Sequence, residues 1–370
     1  MLRLVYLYRE DTSMPTCKGL YVVSPKDYSG KTALCVGLAL TFKEEGYRVG
    51  YMKPIGLWTS ILEGEYVDED SILLKDILGL EDSLTDVTPY VAGDRILEDI
   101  AKGKLHDVCS KIAEVYRRAS EGKDIMLIEA PRNIGLNYLT GLTYRFLAEK
   151  IGCKALVVSL FESDVDVGSI IQMYEHMKLE GLKTIGVVLN YVRRHVIERA
   201  RSIVPQILRS YGLNVLGVIP RKTELVAPTV AEIYERIGGE ILACEDKLDG
   251  IVEEIMIGAM TLESALSFFR RAINKAVITG GDRADVALAA LETDTSVLIL
   301  TGNLYPDVRV LAKAEERGIP VILVPYDTYT TVELVGELVG RIRPGDRKRV
   351  DLAYKLVREN VDWRSIIGSL

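Results

Sequence analysis

The sequence predicts an α/β protein in which a doubly wound, mostly parallel sheet is followed by a smaller α/β unit. Three observations carry that expectation. Residues 19–45 read as a buried strand, a tight loop and a helix, because the apolar, β-prone run Leu20, Tyr21, Val22, Val23 gives way to helical periodicity that Gly46 closes. Apolar strand-like runs then alternate with helical stretches as far as residue 220, with crossovers long enough for parallel neighbours. The polar, turn-rich RKTELVAPT at 221–229 interrupts this pattern, and a second strand–helix alternation begins behind it.

Composition narrows the function classes. A chain of 370 residues, 48% hydrophobic and 27% charged, buries a large core across two or three domains. The net charge of −7, with no long Lys/Arg block, argues against a general binder of nucleic acid or anionic membranes, so a phosphate ligand must be held locally. Five cysteines without CxxC spacing, in a chain with no signal-peptide pattern, read as reduced thiols of a cytoplasmic protein. The opening LRLVYLYRE is too short and too charged to span a bilayer. Residues 1–18 are treated as an amino-terminal appendage, either an edge strand or a mis-assigned start.

The first loop carries the clearest chemistry. Ser29, Gly30, Lys31 and Thr32 reproduce the second half of the Walker A pattern G-x-x-x-x-G-K-[ST]. In that pattern Gly30 lets the backbone approach phosphate oxygens, Lys31 reaches the β/γ-phosphates and the Thr32 hydroxyl binds Mg²⁺. Pro25 stands where the first Walker glycine would be, and Lys26 follows where one branch of phosphate-loop proteins carries a second lysine. An ordinary strand–helix turn with a chance GKT is the alternative.

Later elements are read in the same way. Residues 48–53 (RVGYMK) form a second strand that delivers Lys53 toward the same phosphates, since open parallel sheets bind ligands at strand C-termini; a solvated lysine before a Pro-Gly turn fits as well. In Val67-Asp68-Glu69-Asp70, Asp68 is an N-cap candidate and Asp70 a candidate Mg²⁺ ligand. Helical material is expected over 95–120, then a strand at 124–129 that closes on Glu129, the Walker B arrangement for a Mg²⁺-binding carboxylate. Residues 130–140 read as a loop. Strands at 155–160 and 184–190 flank a helix over 167–180, and Asn190 at the end of the second could contact a purine edge or simply make a turn. A helix at 196–211 and a strand at 215–219 complete the first domain. In the second, strands at 276–279, 297–300 and 321–324 end in Gly/Asp-bearing turns, which either bind a ligand or only turn the chain. The domains expected are thus 19–220 and 221–345, with a C-terminal helix over 346–370 that packs on its own domain or on a partner.

With these residues in place, 19–220 resemble the dethiobiotin synthetase-like branch of the P-loop NTPases through four ordered blocks: SPKDYSGKT, YMKPIG, VDEDSILLK and the strand ending IEAP. The resemblance implies ATP and Mg²⁺ held by Lys31, Thr32, Lys53, Asp70 and Glu129, with Asn190 at a purine contact. Residues 221–345 resemble the DRTGG domain through LVAPTV, EEIMIGAM, VITGGDRADVALAAL and VLILTGNLYPDVRVL. Together the halves are similar in order to the amino-terminal part of long phosphotransacetylases, whose catalytic acetyltransferase domain has no counterpart in these blocks. The function expected from the resemblance is a cytosolic, Mg²⁺-dependent ATP-binding protein with weak ATPase or ATP-dependent ligase activity and no acetyl transfer; the alternative is a non-catalytic protein whose DRTGG domain senses a metabolite or nucleotide. In the first case Lys31, Lys53 and Glu129 are the catalytic candidates, and a small-molecule acceptor is a possible partner. Two departures touch the reacting groups: EAPRN replaces a glycine-rich turn, and Lys26 stands where an acid is usual. Lys26 also suggests a two-fold homodimer in which it reaches the partner's nucleotide.

Overall fold

The computed structural model describes residues 17–57, 60–62, 65–93, 96–336, 338 and 340–370. The expected appendage lies outside the described residues up to position 16, and Lys18 already belongs to a strand. The chain forms two compact units, one of residues up to 221 with 342–370, the other of 222–341.

The strands of the first unit are β1 Lys18–Val23, β2 Val49–Met52, β3 Ile55–Leu57, β4 Ser60–Leu62, β5 Glu65–Val67, β6 Tyr90–Ala92, β7 Ile125–Glu129, β8 Lys154–Leu160, β9 Thr184–Val192 and β10 Val215–Pro220. Six of them make one sheet in the order β10-β9-β8-β1-β7-β2, with every neighbouring pair parallel. Helices cover both faces, which is why β1 and β7 read as unbroken apolar runs rather than alternating ones. The chain leaves β1 toward β7 and β2, then crosses to β8 on the other side. The C-terminal end of β1 is therefore the switch point where such sheets bind ligands. Register sets Val22 beside Glu129 there.

The helix after β1, α1, spans Lys31–Glu44, and α2 spans Glu69–Leu78. Asp68 caps α2 by accepting from the Asp70 amide at 3.1 Å. The helical stretch expected over 95–120 is broken into Ile96–Ala101 and Val108–Ala119. The loop expected over 130–140 is corrected: Gly135–Thr140 is a short helix, anchored by buried Asn137, whose amide donates to the Tyr21 hydroxyl at 2.6 Å. The parallel pair β3/β6 and the hairpin β4/β5 carried no readable pattern at three residues each.

The C-terminal stretch forms two helices, Arg347–Asn360 and Trp363–Ser369. The first lies along α1 so closely that a Cβ on Gly37 would sit 2.3 Å from Val357 Cγ2 and 2.9 Å from the Ala353 carbonyl oxygen. Between the helices, Val361 bridges to Gly217 of edge strand β10, and the Asp362 amide donates to the Leu216 carbonyl at 2.6 Å.

The second unit has β11 Glu240–Ala243, β12 Glu254–Ile257, β13 Lys275–Gly280, β14 Thr295–Thr301 and β15 Val321–Leu323, ordered β11-β15-β14-β13-β12 and parallel except for β11. Apolar clusters fill both faces. Its polar entry is helix chemistry as well as turn. Thr229 and Glu232 form a reciprocal capping box that starts the helix Val230–Ile237.

Candidate functional site

The site is built where β1, β2 and β7 end together. Between Val23 and α1 the chain makes a compact loop in which the Ser29 hydroxyl donates to the Lys26 carbonyl at 2.7 Å. Gly30 closes the loop with φ 81°, the left-handed region that favours glycine, and a Cβ there would stand 2.3 Å from Asn190 Nδ2. That amide donates to the Ser29 carbonyl at 3.0 Å. Asn190 thus braces the loop from β9.

Lys31 opens α1 with its side chain buried. Its ammonium donates to Ser24 Oγ at 2.9 Å and to the Arg132 carbonyl at 3.4 Å. Burial pushes it below the ordinary lysine range, against the pull of Glu129. Thr32 donates to Glu129 Oε1 at 2.8 Å, and Tyr51 donates to Glu129 Oε2 at 2.9 Å. The Glu129 carboxyl is fully enclosed, and burial raises it although Lys53, the Thr32 hydroxyl and Lys31 favour its charge.

Lys53, also buried, donates to Asp68 Oδ1 at 2.9 Å and pairs with Asp70. Burial opposes its charge, but Asp70 and Asp68 outweigh burial and hold the ammonium above the ordinary lysine range. Lys26 pairs with Asp166, whose other oxygen accepts the Glu162 and Ser163 amides at 2.8 and 2.9 Å.

The structure therefore brings Lys31, Thr32, Glu129 and Lys53 into one charged cluster, with Ser29, Gly30 and Asn190 forming the loop beside it. Two expected residues stand differently. Asp70 is engaged by Lys53, and Lys26 by Asp166 of its own chain. Among the described residues no cluster of three His, Cys, Asp or Glu side chains is placed to hold a metal. The set that fits Mg²⁺ is the Thr32 hydroxyl with the Glu129 carboxylate, both oxygen donors suited to a hard cation.

Four contributors escaped the sequence reading: Ser24, Tyr51, Asp68 in its second role, and Arg132. Tyr51 was within reach of it, because residues two apart on a strand share a face and Lys53 faces the site. Arg132 lies in the EAPRN departure and makes a π contact with Tyr28, its guanidinium carbon 5.0 Å from the ring centroid.

The family model described as an AAA domain matches residues 18–229. The chain belongs to the AAA domain family. A DRTGG domain model matches residues 232–338 behind it. Among curated relatives, a phosphate acetyltransferase of Nitratidesulfovibrio vulgaris is 26% identical over 371 residues, 95% of this chain and 51% of that protein. The phosphate acetyltransferase of Pseudomonas putida is 26% identical, with 92% of this chain and 50% of that protein covered. An ATP-dependent dethiobiotin synthetase of Bacillus subtilis subsp. natto is 24% identical over 59% of this chain and 94% of its own length. The AAA domain is thus a dethiobiotin synthetase-like P-loop domain, and its DRTGG companion follows in the order seen in long phosphotransacetylases.

These matches overturn one expectation. The relatives that run along nearly the whole chain are phosphate acetyltransferases, and they overturn the reading as a separate ATPase, ligase or sensor set apart from acetyl transfer. This chain spans about half the length of the phosphate acetyltransferases it matches. No described helix is long and apolar enough to cross a membrane.

Proposed function

We propose that this chain serves phosphate acetyl transfer, and that its AAA domain contributes a Mg²⁺-dependent nucleotide site to that activity. One observation carries the nucleotide part. Lys31 is buried with no carboxylate in contact among the described residues, at the start of a helix and beside a loop closed by Gly30, and an anion is what that arrangement lacks. In this reading the loop amides and Lys31 hold the β/γ-phosphates of ATP, Asn190 lies at the purine side, and Lys53 faces the terminal phosphate. Thr32 and Glu129 are the residues that would hold Mg²⁺, which when bound neutralises phosphate charge. Asp70 would keep Lys53 charged.

Support for acetyl transfer comes from the similarity of 92–95% of this chain to about half of each phosphate acetyltransferase, and its substrates would be acetyl phosphate and CoA in one direction and acetyl-CoA and phosphate in the other. Isolating the protein from its source keeps any accompanying chain or domain with it. CoA-dependent formation of acetyl-CoA from acetyl phosphate, assayed with and without ATP and MgCl₂, tests the activity. No acetyl-CoA formed under any condition rejects acetyl transfer. Calorimetry with ATP and MgCl₂ separately tests the site, and absence of binding heat at millimolar ATP rejects the nucleotide.

Cytoplasmic location and a two-fold homodimer complete the reading, the first from the scattered thiols and the second from Lys26. Its pairing with Asp166 within one chain gives the dimer a sharper test. Lys31→Ala and Lys26→Ala subunits, mixed and exchanged, regain nucleotide binding at one site per pair only if Lys26 acts on the partner's nucleotide.

A further inference from the structure

The cations around the loop divide into two kinds. Lys53 is held by Asp68 and Asp70, and Lys26 by Asp166, so their charges are already balanced within the protein. Lys31 and Arg132 pair with no carboxylate among the described residues. They are also tied together, since the Lys31 ammonium donates to the Arg132 carbonyl at 3.4 Å.

Arg132 follows Glu129 by three residues, with Pro131 between them fixing the exit from β7. Its half-buried side chain turns back over the phosphate loop. The guanidinium carbon lies 5.0 Å from the Tyr28 ring centroid, and Nη1 donates to the Tyr28 hydroxyl at 3.3 Å. Tyr28 itself is unusual, as a non-glycine residue with φ 54° two positions before Gly30. The loop therefore spends backbone strain to hold this ring outward, where it is 42% exposed and meets the arginine.

We propose that Arg132 is a binding residue for the terminal phosphate of a nucleoside triphosphate, kept ready on the face of Tyr28 until that ligand enters the loop. The proposal rests on the nucleotide reading above and adds to it the preference for triphosphate over diphosphate. An exposed cation–π contact is weak and directionally tolerant, so it holds the guanidinium near the loop without satisfying its five donors. A phosphate bearing two or more free oxygens offers charge-assisted, bidentate bonds that outcompete it. In the proposed site the β-phosphate of a diphosphate would lie deeper, at Lys31 and the loop amides. Only a third phosphate would extend past the loop toward the residues that follow Glu129. The bond from the Lys31 ammonium to the Arg132 main-chain carbonyl keeps the arginine in register, and substitutions of the Arg132 side chain leave that bond in place.

Calorimetry with ATP and with ADP, both with MgCl₂, tests this on the full chain. Wild-type protein is expected to bind ATP at least tenfold more tightly than ADP. Arg132→Ala should lose tenfold or more in ATP affinity with less than a twofold change for ADP, and Arg132→Gln, which keeps the stem and a polar head, should do the same should the alanine variant fold poorly. Tyr28→Phe, which retains the ring and removes the competing hydroxyl, should bind ATP as well as wild type or better. An Arg132 variant that weakens both nucleotides equally, or neither, overturns the proposal while leaving the nucleotide site standing. So does a Tyr28→Phe variant that copies the Arg132→Ala loss, since that would make the pair a loop brace. If wild-type protein binds neither nucleotide, the nucleotide reading fails first and this one falls with it.

Discussion

At Lys31, burial and function pull in opposite directions, and the sign of the conflict can be measured. Removing the ammonium in Lys31→Ala relieves a desolvated charge but takes away the cation proposed to contact the β/γ-phosphates. ATP affinity should therefore drop at least tenfold, about 1.4 kcal/mol, while the nucleotide-free protein melts at or above the wild-type temperature. Equal affinity for the two proteins in calorimetry would remove the phosphate-loop reading. Glu129 presents the companion case. Its carboxyl is raised by burial, so the folded state binds the proton more readily than the unfolded state, and its contribution to stability declines as pH rises through the interval above the ordinary glutamate value. Glu129→Gln should accordingly be no less stable than wild type at pH 8, yet lose most of the Mg²⁺ dependence of ATP binding. A large drop in melting temperature without nucleotide would make Glu129 a structural partner of Thr32 and Tyr51 instead. Asp166 runs the other way. Burial raises it, but the Lys26 ammonium and the Glu162 and Ser163 amides outweigh that and hold it below the ordinary aspartate range. Its contribution is present above about pH 4 and is lost as pH falls through its folded value. Acid titration followed by circular dichroism should show wild type losing its stability advantage over Asp166→Asn below that pH, and a constant advantage down to pH 2 would contradict the pairing. The residues named by motif were legible because spacing encodes them. Tyr51 was legible only through its place two residues before Lys53, and Arg132 was not, because an arginine after a proline has no signature until the strand ends are brought together.

Among the elements, legibility followed length and burial. Strands β1, β7, β8 and β9 declare themselves as apolar runs of five to nine residues with helical material between them. By contrast β11 and β12, at four residues each and opening on Glu240 and Glu254, look like loop from sequence alone. The C-terminal helix Arg347–Asn360 shows a third situation. Its amphipathic pattern was visible, but a stripe of Ala353, Leu356 and Val357 says only that something covers it. The structure supplies the cover in α1, and the contact depends on Gly37 having no side chain. Gly37→Val should then separate the two helices: the Ala353 backbone 2.9 Å from a Cβ cannot yield as a side-chain tip would. The expected loss is on the order of 2–3 kcal/mol from overpacking, read as a lower urea midpoint and new protease cleavage within 342–370. Unchanged cleavage and midpoint would mean that this packing contributes little.

At the scale of the whole molecule, the chain order hides how the units are assembled. Residues 222–341 interrupt a unit whose two parts, 1–221 and 342–370, share α1, β10 and the C-terminal helices. Within the inserted unit the entering and leaving segments run side by side, since the Gly340 amide donates to the Val226 carbonyl at 2.7 Å. An insertion with adjacent ends can be replaced by a short tether. A chain joining 17–221 to 342–370 through roughly six Gly/Ser residues, a coil reaching about 13 Å, should fold cooperatively and bind ATP with the affinity of the intact protein. Residues 17–221 alone should instead melt several degrees lower or aggregate, because the α1 face around Gly37 and the edge of β10 lose their cover. Residues 222–341 alone should unfold in a single transition, having apolar clusters on both faces of their own sheet. Thermal scans of the three chains separate these outcomes. If 17–221 is as stable as the tethered chain, the C-terminal helices are an accessory and the division into an interrupted unit and an insertion is wrong. If the tethered chain folds but no longer binds ATP, the nucleotide site requires the inserted unit, and the site assembled from Lys31, Thr32 and Glu129 is incomplete without it.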